Sequence, residues 1–185
     1  PAICTEVRLA LGSGERMAYA TAEKEEKYRL AAATPAKLDV VDKLLDRHRG
    51  ESALVIGQYV DQLEELAEHL GAPLITGATT VRERQRLYGA FRAGEVRTLV
   101  VSKVANFSID LPGASVAVQV SGSFGSRQEE AQRLGRIVRP KEDGRQAHFY
   151  TVVTRDTVDQ EFAAHRQRFL AEQGYTYDII DSGDL

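Results

Sequence analysis

Gln132, Arg136 and Arg139 are the residues whose types and spacing could do chemistry. On a helix, positions three and four apart are neighbours, so the three side chains share one face. Two guanidinium forks and an amide suit phosphate oxygens. Charge builds on such oxygens during phosphoryl transfer, and an arginine offered from outside can stabilise it. The plain alternative is a basic helix face open to solvent. Ser126 and Glu129 form a capping box that would open this helix, and Pro140 would end it.

A second group of candidates follows apolar runs. Ser102 and Lys103 come directly after Thr98–Val101, and Thr76-Gly77 closes the run Leu74-Ile75-Thr76. If these runs are strands of a parallel sheet, the residues lie at its carboxyl edge, where α/β proteins bind ligands. Thr76 and Gly77 could offer a hydroxyl and backbone amides to phosphate, or simply turn the chain. Asp110 precedes Leu111-Pro112 and reads equally as a turn residue. Arg127 stands near the expected helix start. His48, His69, His148 and His165 have no metal-ligand spacing, so no metal site is expected. Tyr175 and Tyr177 could stack on bases, but packing against a sheet edge is the simpler reading.

The elements that must position these residues alternate. Thr34-Pro35 reads as a helix start, with Leu38, Val41, Leu44 and Leu45 as its apolar stripe and Gly50 as its stop. Ala53–Ile56 reads as a buried strand. Leu63, Leu66, Ala67 and Leu70 mark a helix closed by Gly71, and Thr80 with Glu83 caps another running to about Phe91. Strands are expected at Leu74–Thr76, Thr98–Val101, Val116–Val120 and His148–Val153, with an edge strand at Tyr177–Ile180. A last helix begins at Asp156. Strands alternating with helices, most strands continuously apolar, predict an α/β fold: a mostly parallel central sheet flanked by helices. Residues 1–33 read as a connection, and 34–185 as the domain.

Composition narrows the classes. One cysteine, Cys4, excludes an intramolecular disulfide and suits a reducing compartment. No apolar run approaches 18 residues, so no membrane span is expected. A net charge of −3 means that nucleic-acid binding must come from a local patch. Arginines cluster at 82–97 and 127–145. There is no Gly-x-x-x-x-Gly-Lys-[Ser/Thr] and no Asp-Glu-x-His; Gly12-Ser13-Gly14 lacks the lysine of a phosphate loop. The start at Pro1 reads as a processed or excised chain.

Gln132-Arg133-Leu134-Gly135-Arg136-Ile137-Val138-Arg139 resembles motif VI of superfamily 2 helicases at every defined position. Ser102-Lys103-Val104, then Ser108-Ile109-Asp110-Leu111-Pro112, is similar to motif V. The run Ser126–Arg136, Arg166-Gln167-Arg168-Phe169-Leu170, Gln173-Gly174-Tyr175, Ile75-Thr76-Gly77 and Glu83-Arg84 resemble the XPB branch. Ala105-Asn106-Phe107 departs from the Gly-Asp-Thr of eukaryotic members.

The resemblance covers roughly residues 35 to 181 and implies the second, C-terminal RecA-like three-layer motor domain of an ATP-dependent 3′–5′ DNA helicase in repair. It makes Arg136 and Arg139 arginine fingers, with Gln132 beside them, and places Asp110 and Gly135 at the nucleotide. Ser102, Lys103, Arg127, Thr76 and Gly77 go to DNA. ATP with Mg2+ is the implied cofactor, the Mg2+ ligands coming from a missing N-terminal motor domain to which residues 1–33 connect. Implied partners are DNA, that motor domain and a repair nuclease, in the cytoplasm and without a membrane. The isolated chain is expected to be inactive. The alternative is a non-catalytic module that keeps a RecA-like fold and binds nucleic acid or protein.

Overall fold

A computed structural model describes residues 2–102, 113–122, 134, 144 and 146–185. The described elements are β1 (Ile3–Leu9), α1 (Ser13–Thr21), α2 (Lys24–Ala32), α3 (Ala36–Arg47), β2 (Ala53–Gly57), α4 (Val60–Leu70), β3 (Leu74–Ile75), α5 (Val81–Arg92), β4 (Thr98–Ser102), β5 (Val116–Gln119), β6 (His148–Thr154), α6 (Val158–Glu172) and β7 (Thr176–Asp181). The strands form one sheet in the order β3-β4-β2-β5-β6-β1-β7, and every neighbouring pair is parallel.

Two apolar layers sandwich that sheet. Val40, Val41 and Leu44 of α3 and Leu63, Leu66 and Ala67 of α4 pack with Val55, Val100, Val118 and Val152 on one face. Leu87, Tyr88 and Phe91 of α5 and Phe169 and Leu170 of α6 pack with Leu54, Leu99, Ala117 and Phe149 on the other. Leu134 is buried in this second layer. Both faces of the central strands are covered, which is why β2 is buried at all five positions.

Residues 1–33 do more than connect. Ile3–Leu9 lies in the sheet between β6 and β7, in register from Ile3↔His148 to Leu9↔Thr154. Its sequence, Ile-Cys-Thr-Glu-Val-Arg-Leu, lacks a continuous apolar run because a glutamate sits at a buried position.

Two helix starts also differ from expectation. Thr34 does not cap α3; its hydroxyl donates to Glu15 Oε2 at 2.7 Å. The last helix begins at Val158, capped by Thr157 Oγ1 accepting from Asp159 N at 3.2 Å, while Asp156 takes the turn before it at φ 59°. Thr80 caps α5 as expected, accepting from Glu83 N, but the Glu83 carboxylate binds Arg86 rather than reaching back. Among the described residues no helix is long and apolar enough to cross a membrane.

Candidate nucleic-acid interface

Parallel strands end on the same edge, so topology gathers the strand ends at Gly57, Ile75, Ser102, Gln119 and Thr154. Three of the predicted site residues fall there. Gly57 pairs with Ser102, and Ile75 with Val101, so Thr76, Ser102 and Gly57 come side by side across β3, β4 and β2. Thr76 is held in a turn: its N–H donates to Thr79 Oγ1 at 2.9 Å, and its hydroxyl accepts from Ala78 N at 3.2 Å. Gly77 is exposed on that turn, whereas Ser102 is buried. Lys103, Asp110, Arg127, Gln132, Gly135, Arg136 and Arg139 lie outside the described residues.

Gly57 needs its missing side chain. A Cβ there would meet Leu63 Cδ2 and Ser121 Oγ at 2.8 Å, and Ser121 Oγ is already the acceptor for Gln58 N. Strand β2 can therefore turn into α4 only by passing close against the end of β5.

Behind this edge sits a polar node. Lys37 Nζ, 1% exposed, donates to Val120 O at 2.6 Å and to Asp159 Oδ2 at 2.7 Å. Asp159 Oδ2 also accepts from Thr154 N at 3.2 Å, and Thr154 Oγ1 donates to Ala31 O. Gln62 Nε2 donates to Ala32 O at 2.8 Å. Side chains thus tie the ends of β5 and β6 to the end of α2 and the starts of α3 and α6. Burial pushes the Lys37 ammonium below its ordinary pKa; the Asp159 carboxylate opposes that shift by charge and by hydrogen bond, and Arg166 adds to it.

On the other face, register lines up Gln119, Thr151 and Glu6 across β5, β6 and β1. Glu6 Oε1 accepts from Tyr177 Oη at 2.6 Å, and Oε2 from Arg8 Nε at 2.5 Å. Arg166, buried in α6, donates weakly to Gly122 O at 3.4 Å. Its Nε, like Gln119 Oε1, has no hydrogen-bond partner among the described residues.

The motif reading gave no role to Lys37, Asp159 or Glu6, nor to Arg166, which it quoted only within the string Arg166–Leu170. Two carried a signal: Lys37 is in phase with Val40, Val41 and Leu44, and Arg166 with Ala163 and Leu170. A charge on an apolar stripe marks a buried partner. The other two carried none: Asp159 meets Lys37 across 122 residues, and the burial of Glu6 against Tyr177 is decided across 171.

Among the described residues the edge offers the Thr76 hydroxyl and the backbone amides of its turn, groups suited to holding phosphate or a strand. Gly12-Ser13-Gly14 is no nucleotide cradle: Glu15 occupies the first turn of α1 and is bound by Thr34. No group of three or more metal-ligating side chains occurs among the described residues.

The C-terminal domain of the DEAD-box protein Dbp5 superposes with a TM-score of 0.71, covering 98% of this chain and 90% of that one at 16% identity. That likeness speaks for the fold alone, which is RecA-like. Two bacterial proteins named DNA 3′-5′ helicase XPB match all of this chain: one from Kineococcus radiotolerans at 68% identity and one from Mycobacterium tuberculosis at 64%. The chain spans 33% and 34% of their lengths, about a third. A family model described as ERCC3/RAD25/XPB C-terminal helicase matches residues 2–184. The chain belongs to the ERCC3/RAD25/XPB C-terminal helicase family.

Proposed function

We propose that this chain is the C-terminal motor domain of an ATP-dependent 3′–5′ DNA helicase or translocase acting in repair. The observation that carries this is the family match over residues 2–184, joined to the Gln132–Arg139 string. Residues 34–185 form the motor domain in this reading. Within 1–33, β1 belongs to its sheet, and the segment also leads from an N-terminal motor domain.

Arg136 and Arg139, with Gln132, reach across the cleft between the two domains to phosphate oxygens. Gly135 and Asp110 stand at the nucleotide, and Asp110 couples it to DNA. Lys103, Arg127, Thr76 and Gly77 hold the DNA backbone, and Ser102 supports the loop from within. ATP bound with Mg2+ supplies the bond whose hydrolysis drives movement, its metal ligands coming from the N-terminal domain. In support, the described residues contain a carboxyl edge fit to hold a strand and no phosphate loop. DNA, the N-terminal domain and a repair nuclease are the partners, in the cytoplasm.

The test uses the protein with its N-terminal domain attached. Arg139→Ala should lower DNA-stimulated ATP hydrolysis on the order of 10³-fold or more while nucleotide binding persists, because the guanidinium meets charge that peaks in the transition state. Arg133→Ala, off that helical face, is the internal control. An equal loss at Arg133, or turnover within about twofold of normal for Arg139→Ala, would sink the finger assignment.

A further inference from the structure

We infer that a cleft on the carboxyl edge, away from the Thr76–Ser102 side, seats one unstacked base of single-stranded DNA; this rests on the DNA-translocase reading above. The cleft, about 180 Å³, lies between α2, the β2–α4 turn and the start of α6. Tyr28, Tyr59 and Phe162 wall it, Gln58 and Gly122 stand at its rim, and Asp159 lies at its floor. Tyr28 and Phe162 are tilted, with centroids 5.7 Å apart, so they present a corner rather than a closed stack. Both tyrosines are only partly buried, and neither side-chain hydroxyl makes a hydrogen bond among the described residues. An open, three-ring corner with room for one planar group is a stacking platform.

The charges around it fit a base better than a free anion. Lys24 Nζ lies 5.9 Å from the Tyr28 ring and the Arg29 guanidinium 5.0 Å from the Tyr59 ring, so cations stand where flanking phosphates would pass. Arg29 also pairs with exposed Asp61 at 3.6 Å, so the rim is not strongly basic. The floor is close to neutral, since Lys37 matches Asp159. Asp159 Oδ2 is taken by Lys37 and Thr154, while Oδ1 has no hydrogen bond among the described residues. A carboxylate oxygen accepts from an exocyclic amine, which favours cytosine or adenine over thymine. Binding at this cleft therefore comes from the base, with little dependence on salt.

The test measures binding of the 185-residue chain to dA, dC and dT octamers and to an abasic octamer of equal charge. The dA and dC strands should bind about fivefold to a hundredfold tighter than the abasic strand, with dT between. Tyr59→Ala should bring the base-bearing strands down to the abasic affinity, and Tyr59→Phe should not. If Tyr59→Ala melts early, exposed Gln58→Ala is the second variant and should narrow the preference for dA and dC over dT. Equal affinity for abasic and base-bearing strands overturns the cleft alone, as does a base preference that survives Tyr59→Ala. Displacement of the dA strand by ATP at matched concentration of bases overturns the strand assignment. No binding of any strand overturns both the cleft and the DNA reading beneath it.

Discussion

Strands β2 and β4 carry no charged residue, whereas β1 and β7, three to five places along the same sheet, carry Glu6, Arg8, Asp178 and Asp181. The buried positions of β2 and β4 and the buried Glu6 of β1 are held for different reasons. Leu54, Val55, Leu99 and Val100 have no exposed surface because helices cover both faces with apolar side chains. Their removal from water is favourable whatever lies opposite, at about 25 cal/mol per Å². Glu6 is as deeply buried, at 1% exposure, and gains nothing from leaving water. It is tolerated there because Tyr177 and Arg8 supply both of its oxygens with donors. The centre of the sheet is specified by volume alone, whereas β1 adds to its buried Cys4, Val7 and Leu9 a glutamate specified by its hydrogen-bond partners.

Three measurements on the 185-residue chain would break or sharpen that contrast. The largest loss is expected at the apolar centre. Leu54→Ala should reduce the unfolding free energy from urea titration by about 2–5 kcal/mol, combining lost transfer energy and a cavity. A loss below about 1 kcal/mol would mean that β2 is not the centre of the core.

Next comes Glu6→Ala, which strands the Tyr177 hydroxyl and the Arg8 guanidinium for about 1–3 kcal/mol. Glu6→Gln keeps an acceptor in place and should recover much of that loss. If the two variants melted alike, the hydrogen bonds to Glu6 would not be what holds β1 in the sheet.

The smallest effect concerns Cys4, two residues before Glu6 on the same side of β1. Burial pushes its thiol up from the ordinary 9.0 to about 12. The folded state thus disfavours the thiolate. The stability it contributes is complete below pH 9.0 and is lost as pH rises toward about 12. The advantage over Cys4→Ala should shrink across that window. At pH 8 a thiol reagent should label the folded chain far more slowly than the urea-unfolded one. Equal labelling rates would show that Cys4 is not enclosed.

The same contrast also explains which parts of the molecule could be read from one dimension. The strands at Ala53, Leu74, Thr98, Val116 and His148, and the edge strand near Tyr177, stand where apolar runs and turn signals put them. Thr80 caps α5, and Gly71, at φ 63°, ends α4. Strand β1 did not stand out, since a buried glutamate interrupts its pattern. Thr34 looks like a cap but its hydroxyl is captured by Glu15, nineteen residues upstream. Of the residues assigned by motif, Thr76, Gly77 and Ser102 reach one edge as expected, although Ser102 is enclosed. Lys37 was detectable as a charge in phase with an apolar stripe; its partner Asp159 was not, because 122 residues separate them.

By itself the sequence determined the class of fold, the family and, from Thr34 onward among the described residues, the succession of helices and strands. Each of these depends on local periodicity, local capping or a contiguous string such as Gln132–Arg139, and local patterns survive in one dimension. Only the tertiary structure decided the strand order, the insertion of β1 between β6 and β7, the joining of Lys37 to Asp159, and the aromatic corner of Tyr28, Tyr59 and Phe162. Those depend on which residues meet across long loops. A buried charge or a corner of aromatic rings has no signature until its partners are present in space.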